Sequence, residues 1–167
     1  MLRLRSAAIA FIAALALSAC RIEDRTPAGS RRDEDAIRSV LATYYQSVGA
    51  GDWAASRALF WDSAMVEVRH AGTDSAWREY RTADAYHRDL ARRYGSHELS
   101  EVSVRIFRLD LRQQGDLASA WVTTRRRPIA GEGRLEVGTA DDVILRRAGG
   151  TWRIVALASA PDPATTR

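Results

Sequence analysis

Few side chains in this sequence are equipped for chemistry, and their spacing narrows what they could do. His70, His87 and His97 are the histidines, the residue type that titrates near neutrality. They are too far apart for a short metal-ligand motif and no His-Glu-x-x-His occurs, so no metal site is expected. His70 is the candidate general base. It reads more readily as a strand-end histidine at a sheet rim, hydrogen-bonded to water, because one histidine without a placed partner is weak support for catalysis. Asp142, flanked by Asp141, precedes the apolar run Val143-Ile144-Leu145. A carboxylate in such surroundings must find a partner, for which Arg125 is available, or stay protonated.

Five tryptophans (Trp53, Trp61, Trp77, Trp121 and Trp152) invite the idea of an aromatic ligand cage. Large aromatics more often fill a core, and Trp121 is the best cavity candidate of the five. The run Arg125-Arg126-Arg127-Pro128 reads either as an anion patch or as a solvated strand end. Alternation sends its members to opposite faces and Pro128 stops the strand, which favours the strand end. The chain contains no lysine, which excludes Schiff-base catalysis and a phosphate loop of the Walker type. Gly131-Glu132-Gly133 begins like a dinucleotide loop, but Glu136 stands where the third glycine belongs, and there is no Gly-x-Ser-x-Gly elbow. No cofactor is expected.

The beginning of the chain indicates a compartment. Arg3 and Arg5 precede an uncharged stretch from Ser6 to Leu17, and Leu17-Ser18-Ala19-Cys20 ends in the only cysteine. The apolar run is shorter than the roughly 20 residues a membrane span requires. The segment resembles the lipobox of bacterial lipoproteins. That resemblance implies diacylglycerol on the Cys20 sulfur, a signal peptide over residues 1–19, and attachment to a membrane outside the cytoplasm. Arg21 stands where inner-membrane retention would call for aspartate, so the outer membrane, facing the periplasm, is expected. The formal charge of +4 falls to +2 without Arg3 and Arg5, and both signs are interspersed, so nucleic acid is not an expected partner.

The remaining 147 or so residues suffice for one domain. Residues 20–30 read as a polar tether broken by Pro27 and Gly29. Ser30 and Asp33 form a capping pair. Ile37, Val40, Leu41, Tyr44, Tyr45 and Val48 then make one stripe on a helix that Gly49 and Gly51 end. Asp52 caps a short second helix through Phe60. After Asp62 the period changes to two, with Val66, Val68 and His70 on one face, and Gly72 to Asp74 turn the chain. A third helix runs from Thr82 to Tyr94 with Tyr86 and Leu90 inward, closed by Gly95. Strands follow at Leu99–Leu111, Leu117–Arg126, Leu135–Arg147 and Thr151–Ser159, the last two joined by the hairpin Gly149-Gly150. Helices first and a run of strands afterwards give an α+β class, with helices on one face of a curved antiparallel sheet. The domain spans 31–160, and residues 161–167 read as a disordered tail.

Tyr44-Tyr45, Gly51-Asp52-Trp53, Leu59-Phe60, Met65-Val66 and Gly149-Gly150-Thr151-Trp152-Arg153-Ile154-Val155 occur in an order similar to that of the nuclear transport factor two-like superfamily, in particular its SnoaL-like branch. This resemblance implies a cone in which a bent sheet wraps a long helix and leaves an apolar pocket at the open end. Residue by residue against the ketosteroid isomerases of that superfamily, Tyr44 falls on the hydrogen-bonding tyrosine and Asp142 on the protonated aspartate. Together these would stabilise an oxyanion. The position of the general base reads Val68, which cannot take a proton, and His70 on the same face would have to substitute. Tyr44 can also have a purely structural role at the helix–sheet seam.

Three functional readings follow. The first is a lipid-anchored, non-catalytic domain that takes a small apolar ligand or a partner segment in a pocket lined by Tyr44, Val68, Trp121 and Asp142. The second is an isomerase, cyclase or dehydratase with His70 as base and Tyr44 and Asp142 as oxyanion donors. The third is a homodimer formed through the exposed sheet face, as in many relatives.

Overall fold

The computed structural model describes residues 30–69, 77–95, 102–128 and 138–164. The signal segment with Cys20, the tether, His70, the turn at Gly72–Asp74, His97, Gly131-Glu132-Gly133, Leu135 and residues 165–167 lie outside the described residues.

The first helix, α1 (Ser30–Ala50), buries Ile37, Leu41, Tyr44, Tyr45 and Val48. It ends where Gly51, at φ 67°, takes the left-handed conformation that a side chain would resist. The Gly51 N–H reaches the Val48 carbonyl at 3.2 Å and the Asp52 N–H reaches that of Ser47 at 2.9 Å, a Schellman closure. Asp52 then caps α2 (Trp53–Ala58), accepting from the Ala55 N–H at 2.9 Å. Strands β1 (Phe60–Arg69) and β2 (Trp77–Tyr80) follow, then α3 (Ala83–Tyr94). Thr82 caps α3, and its end is closed by the Gly95 N–H on the Ala91 carbonyl at 2.9 Å. The chain finishes with β3 (Val102–Gln114), β4 (Leu117–Pro128), β5 (Thr139–Ala148) and β6 (Thr151–Pro161).

The strands form one six-stranded sheet in the order β2-β1-β6-β5-β4-β3. All neighbours are antiparallel except β1 and β6, whose Val66 and Leu157 are paired in parallel, so the sheet is mixed rather than purely antiparallel. The β5–β6 turn has Gly149 and Gly150 at φ 59° and 80°, the two-residue hairpin that matches strand twist. Phe60, Val66, Val122, Val143, Leu145 and Ile154 face inward and are essentially fully buried with Ile37 and Leu41 of α1. Burial of side chains of this kind stabilises by about 1.5–3 kcal/mol each.

One end of the cone is clasped by charge. Arg147 on β5 donates to Asp33 of α1 and to Asp116 of the β3–β4 turn, each at 2.7 Å. Asp33, read from sequence as half of a capping pair with Ser30, thus engages the sheet, and Gln113 also donates to it at 3.3 Å.

The structure departs from the sequence reading in four further places. Strand β2 was not anticipated, because its residues Trp77 to Tyr80 lack alternation and all but Tyr80 are exposed. On β4 the buried face is Ala118, Ala120, Val122 and Thr124, while Leu117 and Trp121 are 53% and 51% exposed. On β3 an irregularity between Ile106 and Arg108 breaks the period of two. It ejects Phe107, which lies exposed under the Arg125 guanidinium at 4.7 Å, and returns Leu109 and Leu111 to the core. Finally, Pro161 belongs to β6, and Asp162 is buried, accepting from Arg125 at 2.7 Å.

Candidate functional site

The cavity lies at the end of the cone opposite the Arg147 clasp. Its volume is about 260 Å³, near the small end of ligand pockets. The helices contribute Tyr44, Tyr45 and Val48 from α1, Trp53 from α2, and Tyr86, Leu90 and Tyr94 from α3. The concave face of the sheet contributes Val68, Val104, Thr124, Arg126, Thr139, Asp141 and Ser159. These positions share a side because alternation along each strand repeats at two. Asp141 points in with Val143 and Leu145, and Arg126 points in with Val122 and Thr124.

Asp141 is the polar centre of the wall. Tyr45 donates to its Oδ2 at 2.7 Å, Ser159 to its Oδ1 at 2.6 Å, and Thr139 to Oδ2 at 3.2 Å. The Thr124 and Thr139 hydroxyls lie 2.7 Å apart and extend this chain across β4. Burial raises the Asp141 pKa, against the opposing pull of those three hydroxyls and of the Arg126 charge. The tyrosines are held neutral. Desolvation raises Tyr44 and Tyr45 well above the phenol range, with the nearby Asp141 adding to it for both. Desolvation likewise pushes Tyr86 up to about 12. Tyr44 and Tyr86 share a hydrogen bond of 3.2 Å between their hydroxyls, and the Tyr44 ring packs edge-on to Tyr45 at 4.8 Å and to Phe60 at 5.4 Å.

Of the residues singled out from sequence, Tyr44 and Val68 line this cavity and Trp121 and Asp142 do not. Asp142 is exposed on the outer face of β5, opposite Trp121 in the β4–β5 register. The count that placed it inside is one residue out, and a one-residue slip in a strand reverses the face. Asp141 shares parity with Val143 and Leu145, which was the available signal. Trp121 is excluded for the same reason: the inner face of β4 carries its even-numbered residues. Arg125, considered as a partner for Asp142, pairs with Asp162 instead. Tyr45, whose hydroxyl meets the buried acid, and Arg126 were not singled out as cavity residues. Trp53, read as packing, does line the cavity, with Nε1 donating to the Gly95 carbonyl at 3.1 Å.

A second buried polar group stands beside the cavity. His87 Nδ1–H donates to the Ala83 carbonyl at 2.7 Å, which leaves Nε2 to accept from the Ser56 hydroxyl at 2.9 Å. Desolvation lowers the His87 pKa, so it joins α2 to α3 as a neutral ring. Among the described residues no three His, Cys, Asp or Glu side chains gather as metal ligands would, and no helix is long and apolar enough to cross a membrane.

The chain belongs to the SnoaL-like domain family, whose model matches residues 30–158. Solved structures of low identity share the fold. One is a protein of unknown function with a cystatin-like fold from Nostoc punctiforme, 12% identical with a TM-score of 0.67, covering 82% of this chain and 96% of that one. Another is an NTF2-like protein of unknown function from Pseudomonas putida, 20% identical, TM-score 0.66, covering 83% and 94%. A third is a candidate dehydratase of the NTF2-like family from Streptomyces avermitilis, 16% identical, TM-score 0.63, covering 78% and 96%. Among curated proteins, none matches this chain. The architecture of a curved six-stranded sheet around α1 is thus that of the NTF2-like cone, a fold that hosts many unrelated functions.

Proposed function

We propose that this chain is a lipid-anchored domain of the bacterial cell envelope, held by Cys20 and facing the periplasm from the outer membrane, that binds a small, mainly apolar ligand without transforming it. The anchoring half rests on the run Leu17-Ser18-Ala19-Cys20 behind two arginines. The binding half rests on one observation: a cavity of about 260 Å³ walled by four tyrosines, a tryptophan and a few hydrogen-bonding groups. That volume suits a small molecule better than a partner segment. Val68, in the wall where the isomerases of the superfamily keep a base, supports the non-catalytic reading.

One observation favours the alternative of an isomerase, cyclase or dehydratase. Asp141, raised by burial and bonded to Tyr45, has the make-up of an oxyanion donor. In that reading it replaces Asp142, and the base would be His70.

Native mass spectrometry of the full chain, extracted in mild detergent from the cells that make it, tests the binding role. The expected result is a small-molecule adduct on the wild type that Val68→Trp, which fills the cavity, lacks. Equal loading of both proteins would overturn the assignment. A bound compound converted to another by the wild type but not by His70→Gln would replace the binding role with the enzymatic one.

A further inference from the structure

An unpaired donor in the cavity wall defines the head group of its occupant. Asp141 has both carboxyl oxygens engaged by the Tyr45, Ser159 and Thr139 hydroxyls, so its needs are met within the wall. Arg126 is different, because one of its donors has no partner in the wall. It lies on the inner face of β4, opposite Val104 in the β3–β4 register, and its Nε is buried with no hydrogen-bond partner among the described residues. A buried donor left unpaired is costly, and more so when charged. The arrangement becomes favourable once an occupant brings an acceptor. A carboxylate is the matching acceptor, since its two oxygens meet the planar fork of arginine in a paired set of bonds.

The rest of the wall defines the body of that occupant. The cavity lining includes the aromatic residues Tyr44, Tyr86 and Trp53. A cavity of about 150 Å³ takes a benzene molecule, so the 260 Å³ here accommodates one ring and a short substituent. Arg126 balances one negative charge inside the cavity, the other arginine of the lining, Arg69, being exposed at the rim.

Resting on the ligand-binding reading above, we propose that the cavity takes a small carboxylate bearing one ring, its carboxylate on the Arg126 guanidinium and its ring against Tyr44, Tyr86 and Trp53. Arg69, exposed at the rim of the cavity, adds positive charge along the way in.

Titration calorimetry of the full chain with benzoate, benzyl alcohol and inorganic phosphate, at one ionic strength and neutral pH, decides the matter. Benzoate is expected to bind about tenfold or more tightly than benzyl alcohol, the difference that a bond to a charged group makes. Phosphate, lacking a ring, is expected to bind more weakly than benzoate. Arg126→Gln should abolish the preference for benzoate, and Arg153→Gln, on an exposed position of β6, should keep it. Equal binding of benzoate and benzyl alcohol, or a preference that survives Arg126→Gln, would overturn the carboxylate inference and leave the binding role standing. Phosphate binding as tightly as benzoate would overturn the ring. Failure of both ring compounds to bind wild type would overturn the whole inference, while the adduct measurement judges the binding role separately. The comparison of ring compounds needs only the wild-type protein, so it holds even if Arg126→Gln does not fold.

Discussion

Tyr45 and Asp141 are joined by a hydrogen bond of 2.7 Å that ties the last turns of α1 to the start of β5. It links the helix to the sheet at the cavity end of the fold, as Arg147 and Asp33 do at the opposite end.

Tyr45→Phe should therefore destabilise the fold by about 1–2 kcal/mol, since a buried acid loses one of its donors. The loss is bounded because Ser159 and Thr139 still serve Asp141. Asp141→Asn tests the acid directly. A carboxyl whose pKa is raised by folding binds its proton more tightly in the native state, so stability is full at low pH and falls as pH rises from about 4, the ordinary carboxylate range. The variant should lack this fall. Urea denaturation of both proteins across pH checks it, and parallel pH curves would refute it.

Asp89 behaves in the opposite sense. It is buried on α3 and accepts from Tyr80, Arg92 and Arg93, with the Arg93 bond at 2.6 Å. Desolvation would raise its pKa, but the hydrogen bonds from Tyr80, Arg93 and Arg92 outweigh it and hold the carboxyl at about 2. Its contribution is full above about pH 4 and lost as pH falls through 2. Asp89→Asn should lower stability at neutral pH by about 2 kcal/mol and remove this acid-sensitive component. An unchanged unfolding midpoint would count against the network.

His87 gives a third pH signature. Desolvation lowers its pKa, so the unfolded chain binds the proton more readily. Stability should fall as pH drops below about 6.5, and His87→Gln should remove that dependence. Ser56→Ala, which leaves the buried ring nitrogen without its donor, should cost about 1–3 kcal/mol at neutral pH. Thermal unfolding at pH 7.5 and pH 5.5 separates the two effects.

The sequence is most legible where the deciding interactions are local. Asp52 and Thr82 each accept from an N–H three residues on, and Gly51 and Gly95 each end a helix in a left-handed turn. Such signals reach four or five residues and do not depend on the rest of the fold. Facing is different. Both sides of β4 carry apolar residues, Leu117 and Trp121 against Ala118, Ala120 and Val122, and size favours the wrong side. Along β5 the unbroken run Val143-Ile144-Leu145 blurs parity in the same manner, so the apolar pattern does not correct the residue-by-residue comparison that places the inward acid at 142 instead of 141. Tyr44 and Tyr45 share a helical stripe, so the sequence shows that both are inward, but not which of them meets the acid.

The place of β6 between β1 and β5 has a consequence for how the molecule is built. Among the described strands β6, which unites the early and late portions of the sheet, comes after all the others, so β1 must wait for a partner almost a hundred positions downstream. Such distant pairing is slow, because ring closure must precede any gain from contact. Chain termination anywhere before Thr151 would strand the opening hairpin with an unmated edge, making shortened products prone to clumping rather than mildly weakened.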